Sequence, residues 1–311
     1  MLRGTTALDR IDINKLSYGR VEYLIPAGGD GTQIGLYHAN SLYKAGEELT
    51  VLGIEGKARI YGVYVSRPFI KTRERTLAVK AGFQYKNVYE YRLDALNTKD
   101  KIRVFNVSLN YDCTDGLQGR NIWALEYSRG VRDFLGGAGR NDSNTSRLNA
   151  DGQFNKITID VVRVQKLPGY SYLILKGSGQ LSVDEFFAAE QFVIGGAGSV
   201  RGFKPALHSG DRGYTLTAEL AASPFFSEKK VAGQKVGDTI KFALFTDHGE
   251  VYKNNPQPGE NKANYLTSLG AGVRLYAGKH FSFKVDYAIP EINGKFTSKN
   301  SETYAQVIMG F

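Results

Sequence analysis

The sequence predicts an all-β protein, a transmembrane antiparallel β-barrel with about fourteen strands, and three observations predict it. Segments of roughly ten residues alternate apolar and polar side chains along almost the whole chain, as a wall with a lipid face and a water face does. The connections are short and long in turn, as expected of tight turns at one rim and loops at the other. Helical periodicity is nearly absent, and no apolar run reaches the length of about 18 residues that a spanning helix needs. The 311 residues include 19 Tyr and 17 Phe, and their mean hydropathy is -0.31. That low mean suits a wall whose lipid face is hidden in alternate residues. A soluble β-sandwich has a similar composition; long strands and alternating connection lengths favour the barrel.

Taken in order, Val21, Tyr23 and Ile25 alternate with Arg20, Glu22 and Leu24, and Gly28-Gly29-Asp30-Gly31 turns the chain into a strand with Ile34 and Leu36. A polar link over 44–57 precedes a strand with Tyr61, Val63 and Val65 on one face. A turn is expected over 68–75, then Leu77, Val79, Ala81, Phe83 and Tyr85 in phase, then a second long polar link over 89–101. Arg103, Phe105, Val107, Leu109 and Tyr111 follow in phase, and after a turn so do Trp123, Leu125 and Tyr127. The loop 130–153, rich in Gly, Asn, Ser and Asp, is expected to be mobile. Ile157, Ile159 and Val161 share a face that Arg163 breaks, by a bulge or by leaving the apolar zone. Alternation is cleanest near the end: Tyr214 to Leu220, Phe242 and Leu244, Leu269 to Leu275, Phe281 to Tyr287, and a last strand with Val307, Met309 and Phe311 on one face.

The formal net charge is +9, but Lys and Arg are interspersed with Asp and Glu, which argues against nucleic acid as a partner. The single cysteine, Cys113, supports neither an internal disulfide nor a metal cluster. The four histidines, His38, His208, His248 and His280, lack metal-ligand spacing. His248 neighbours Asp247, but adjacent strand residues point to opposite faces, so the two do not form an acid–base pair. No nucleophile elbow or phosphate loop is present, and Arg201 stands where a dinucleotide fingerprint has its third glycine. The expectation is a protein with no enzymatic activity, cofactor or metal. Met1-Leu2-Arg3-Gly4-Thr5 does not open as a signal peptide does, so an exported protein would be represented here by a fragment.

The run from Glu190 to Phe203 breaks the pattern. Gly195, Gly196, Gly198 and Gly202 permit positive φ and close backbone approach, while Val200, Arg201 and Phe203 place one cation between apolar groups. A loop of this kind packs into something, and a buried guanidinium then needs a partner.

Phe192-Val193-Ile194-Gly195-Gly196 and Ser199-Val200-Arg201-Gly202-Phe203 resemble the signature of TpsB two-partner secretion transporters, the haemolysin secretion/activation type, which are relatives of the BamA insertase. Leu24-Ile25-Pro26-Ala27-Gly28, Ser66-Arg67-Pro68-Phe69 and Val164-Gln165-Lys166-Leu167-Pro168 look like the family's strand ends and turns. The resemblance implies that the motif is the tip of an extracellular loop folded into the lumen. It also implies that the arginine pairs with the aspartate of a Phe-x-Asp-x-Gly strand, here Phe245, Asp247 and Gly249. Strand phase agrees, because these three share the face opposite Phe242 and Leu244. Glu219, Arg274, Lys284 and Asp286 are expected to face the lumen, and Val307, Met309 and Phe311 to form the C-terminal barrel signature.

Family members carry a plug helix and two POTRA domains before a sixteen-stranded barrel. The resemblance thus implies that residues 1–311 are a barrel domain lacking the POTRA domains and the first strands. It implies an outer-membrane pore that secretes a TpsA-type adhesin or haemolysin without nucleotide hydrolysis. The expected surroundings are outer-membrane lipid or lipopolysaccharide, with the barrel-assembly machinery acting during biogenesis. A barrel-assembly factor or an anchoring barrel of the same superfamily is the alternative.

Overall fold

The computed structural model describes residues 2–8, 16–44, 53–140, 142–223, 230–231, 234–278 and 281–310. Fourteen long strands follow one another: β1 (Leu2–Leu8), β2 (Leu16–Pro26), β3 (Gln33–Lys44), β4 (Glu55–Lys71), β5 (Arg75–Arg92), β6 (Ala95–Thr114), β7 (Gly119–Gly130), β8 (Asn155–Leu167), β9 (Ser171–Leu181), β10 (Arg212–Ala222), β11 (Ile240–Tyr252), β12 (Ala263–Ala277), β13 (Phe281–Ile292) and β14 (Glu302–Met309). They form one meandering sheet in which each strand lies beside its neighbours in the chain, and Lys295–Phe296 adds a short strand to β13. The tight connections join only antiparallel neighbours, and the longer ones keep the same order.

Burial is inverted relative to a soluble sheet. On β11, Leu244 is 65% exposed and Phe242 53%, while Asp247 is 1% exposed. The same inversion recurs on β7, where Trp123, Leu125 and Tyr127 are exposed, and on β10, where Leu216 and Leu220 are exposed beside buried Glu219. A sandwich would bury the apolar set against a second sheet. Here the apolar face meets the surroundings and the polar face is covered.

Several sequence expectations change. Pro68 lies inside β4 and not in a turn: the register with β5 shifts between Pro68 and Ile70, a bulge that accommodates a residue without an N–H to donate. The link expected over 89–101 is the two-residue turn Leu93–Asp94, both with positive φ, between strands that run past the apolar band. Polar composition misled there, because strand ends above a membrane face water on both sides. Arg163 leaves the apolar zone at the turn end of β8, where it meets Asp115 at 2.6 Å and Asn121 at 2.7 Å.

The loop 130–153 is packed, contrary to expectation. Ala138 and Ala150 from it bury with Phe154, Phe186 and Phe187 against Ile102 and Val104. Its backbone is tied to β6 through Val131 N–H to Arg103 and Ala138 N–H to Lys101. Five apolar residues outweigh its polar composition.

The chain divides into two compact units. One comprises Met1–Asn110, Leu125–Ile157 and Ser182–Gln191; the other comprises Tyr111–Ala124, Thr158–Leu181 and Phe192–Phe311. The second contains the loop tip between β9 and β10, where Phe192–Ile194 pairs with His208–Gly210 as a two-stranded ribbon.

Candidate functional site

The ribbon delivers its tip onto the polar face of β10 to β13. Gly195 and Gly196 take φ of 109° and 91°, values that L side chains rarely adopt, and the Ser199 hydroxyl bridges Gly195 N and O at 2.8 and 3.1 Å. This turn aims Val200 and Arg201 at the wall. Val200 is fully buried with Ile194, Val251 and Leu266, and Phe192 and Phe203 pack on that cluster.

Arg201 is 4% exposed. Its Nε donates to Asp247 Oδ2 at 2.7 Å and its Nη2 to Asp247 Oδ1 at 2.9 Å, a two-pronged pairing, and its backbone N–H adds a third bond to Oδ2 at 3.1 Å. Nη1 reaches Glu219 Oε2 on β10 at 3.1 Å and Asp286 Oδ2 on β13 at 3.0 Å. Arg274 of β12 continues the network, with Nη2 2.8 Å from Glu219 Oε1 and Nη1 2.5 Å from Asp286 Oδ1. The latter contact is an ion pair without hydrogen-bond alignment, since Asp286 Oδ1 has no hydrogen bond of its own. Lys284 Nζ lies 3.0 Å from Asp286 Oδ2. Three cations thus face three carboxylates. Burial lowers the Arg201 pKa, but the Asp247 carboxylate and then Asp286 more than offset it, so the guanidinium stays charged above its ordinary range.

The guanidinium also lies flat on Phe245, 3.3 Å from the ring centroid. The ring covers Gly270 directly across the strand pair, where a Cβ would fall 2.1 Å from Phe245 Cζ. Glycine, ring and guanidinium form a stack that admits one loop position. At Gly249 a Cβ would meet Val200 Cγ2 at 2.9 Å and Thr215 Cγ2 at 3.0 Å. Replacing Gly249 with Val is therefore expected to cost about 1–3 kcal/mol of loop seating. Chymotryptic cleavage after Phe203 reads this out, and unchanged protection would show that the loop does not rest on Gly249.

A family profile described as haemolysin secretion/activation protein ShlB/FhaC/HecB matches residues 14–275, which include Arg201, Asp247, Glu219 and Arg274. The chain belongs to the ShlB/FhaC/HecB family. The heme/hemopexin transporter protein HuxB of Haemophilus influenzae is 24% identical over 319 residues, 98% of this chain and 54% of that protein. The solved structure of CdiB from Escherichia coli superposes with a TM-score of 0.77 at 19% identity, covering 100% of this chain and 56% of that one. BamA from Haemophilus ducreyi lacking POTRA domains 1-3 gives 0.63 at 13% identity, covering 94% and 62%. The fold is thus that of the transmembrane β-barrels, with the apolar face toward lipid and the polar face toward the lumen. The chain spans about half the length of the curated relatives it matches.

Within this ShlB/FhaC/HecB barrel the sequence-predicted residues separate into two places. Gly195, Gly196, Val200, Arg201, Gly202 and Phe203 gather at the tip, and Phe245, Asp247, Gly249, Glu219, Arg274, Lys284 and Asp286 gather on the wall facing it. Val307 and Met309 are exposed on β14 and Phe311 lies outside the described residues. Two participants escaped sequence reasoning. Tyr304 of β14 accepts from the Gly202 N–H and donates to the Phe203 carbonyl, both at 3.0 Å. Its signal was an aromatic residue on the polar face of the last strand. Glu190, the first residue of the motif run, is 5% exposed between Lys86 and Lys156, each at 2.5 Å. Its signal was a carboxylate heading a glycine-rich apolar run.

Proposed function

We propose that residues 1–311 are the outer-membrane barrel domain of a two-partner secretion transporter, which passes one large TpsA-type adhesin or haemolysin outward without nucleotide hydrolysis and without enzymatic activity of its own. The observation that carries this reading is the ShlB/FhaC/HecB match over 14–275, a span that holds both the loop tip and its wall partner Asp247. CdiB is named an outer membrane transporter, which supports the same location for this chain. The lumen wall mixes charges of both signs, so an extended polypeptide can pass with little attachment. In this reading the tip, held by Arg201, sets the resting conformation of the pore, lipopolysaccharide surrounds the wall, and the barrel-assembly machinery inserts it.

The likeness to BamA supports a second reading, a barrel-assembly factor. The two separate when the transporter polypeptide is produced in a Gram-negative host with a TpsA-type exoprotein from the same genome. Secretion predicts that the exoprotein reaches the medium only when the transporter is present, with other outer-membrane barrels at normal amounts. Exoprotein release without the transporter, or a general loss of barrels on its removal, overturns the secretion reading.

A further inference from the structure

The lipid-facing side of β4, β5 and β6 changes character at its loop end. Tyr61, Val63 and Val65 on β4, Phe83 on β5, and Phe105 and Val107 on β6 form an apolar band, and five of these six are more than 40% exposed. Phe134 from the packed loop folds down onto it, 5.7 Å from Phe83 and 5.9 Å from Phe105. Immediately toward the loops, the same alternate positions read Arg59, Lys57 and Glu55 on β4, Asn87, Tyr89 and Tyr91 on β5, and Arg103, Lys101 and Lys99 on β6. Strand register places Arg59 beside Asn87 and Lys57 beside Tyr89. Five cations stand against one carboxylate, Glu55, which Lys57 meets at 2.8 Å.

These cations have two roles. Arg103 is 1% exposed, stacked 3.3 Å over Tyr85 and donating to the carbonyls of Lys86 and Leu135 and to Asn87 Oδ1, so it is spent on holding the loop. Lys57 and Lys99 lie over the rings of Tyr91 and Tyr89 at 4.9 and 5.5 Å, which orients the ammonium groups, and Lys57 is in addition held by Glu55. Arg59 is exposed, and neither it nor Lys101 has a carboxylate partner among the described residues. An excess of cations over carboxylates directly above an exposed apolar band belongs at the level of lipid headgroups, where phosphate is the complementary charge. Arg59 and Lys101 are two strands apart, roughly 10 Å, wider than one phosphate.

We propose that this strip binds the headgroup of a diphosphorylated glycolipid in the leaflet at the loop end. Arg59 takes one phosphate, Lys99 and Lys101 take the other, and the acyl chains lie along Val63, Phe83 and Phe105. The site rests on the outer-membrane reading above and adds a specific lipid ligand to it.

Native mass spectrometry of the full chain, folded in detergent and offered lipid A carrying both phosphates, tests the site. Wild type is expected to retain lipid A at least about tenfold more tightly than the variant Arg59→Ala/Lys99→Ala/Lys101→Ala. Lipid A stripped of phosphate is expected to bind both proteins with the variant's weakness. The turn-end variant Arg73→Ala/Arg75→Ala is expected to match wild type, and inorganic pyrophosphate to leave the lipid complex intact. Equal retention of lipid A by wild type and the triple variant overturns the proposal, as does equal binding of the dephosphorylated lipid or displacement by pyrophosphate. Heat-modifiable insertion into phosphatidylcholine vesicles separates the two levels. A chain that inserts but ignores lipid A refutes only the site, whereas one that fails to insert refutes the membrane reading and the site together.

Discussion

Replacing Arg201 with Ala is expected to release the loop tip while the barrel stays folded. The substitution leaves Asp247, Glu219 and Asp286 with Arg274 and Lys284 as ion-pair partners among the described residues, with Lys176 near Glu219 and Asp247, and it empties the slot above Phe245. Breaking a buried ion pair from one side costs about 3–5 kcal/mol, far more than the pair's net contribution when intact. The network is therefore better understood as fixing where the tip sits than as stabilising the wall. Where opening is fast relative to cleavage, proteolysis follows the open population, so chymotryptic cutting after Phe203 is expected to rise about a hundredfold or more. Asp247→Asn is expected to act alike, and the double variant to fall well short of the sum, because both remove the same contact. Arg201→Lys is expected to recover only part of the protection, since an ammonium cannot grip both Asp247 oxygens while lying flat on a ring. On the function proposed above, release of an exoprotein is expected to fall with loop protection. Wild-type protection in Arg201→Ala would refute the anchor and leave the Val200 and Ile194 contacts as what seats the tip.

How much of this was legible in the sequence depends on the range of the interaction. Phase along one strand is a local property, so Phe245, Asp247 and Gly249 could be assigned to one face, with Phe242 and Leu244 on the other, from their spacing alone. The partner of Arg201 came from the family resemblance and not from spacing. The shared grip of Glu219 and Asp286 on Arg201 Nη1 depends on how four strands align in register, which alternation leaves undetermined. The fit of the Phe245 ring over Gly270 also depends on register, since a shift of one residue would put a side chain on the other face. Strand ends were misjudged for a different reason. Above and below the apolar band a strand has water on both faces, its alternation disappears, and a segment such as 89–101 looks like a loop although hydrogen bonding continues to Arg92 and resumes at Ala95. In the loop 130–153 the error was one of averaging, because the apolar contacts that hold it come partly from Phe186 and Phe187, far away in sequence.

Those two phenylalanines lead to Glu190, whose replacement by Gln is expected to free the first leg of the motif loop independently of its tip. The leg Ser182–Gln191 is held by Asp184, which accepts from the Asn155 N–H at 2.7 Å, and by Ala188, whose N–H donates to the Ser146 hydroxyl at 2.9 Å. Glu190 is its charged fastening, bridging Lys86 and Lys156 across the polar face. Burial alone would raise the Glu190 carboxyl, but the two ammonium groups outweigh it and bring its pKa down to about 2 from an ordinary 4.5. A depressed carboxylate pKa means that its stabilisation is complete above 4.5 and is lost as the pH falls through about 2. Pepsin works in that range and cuts at phenylalanine, so cleavage at Phe186 and Phe187 from about pH 5 to about pH 1.5 follows the protonation directly. Wild type is expected to become cleavable only toward the acid end. Glu190→Gln leaves two facing cations around a neutral amide, and its leg is expected to be open already at about pH 5, with about 3–5 kcal/mol of seating lost and little further acid dependence. Cleavage after Phe203 in the same variant reports whether the tip remains on Asp247. If the leg and tip open together, the two fastenings act as one latch; if Glu190→Gln stays protected at Phe186 and Phe187 at about pH 5, the apolar packing alone holds the leg and the ion triad does not fasten it.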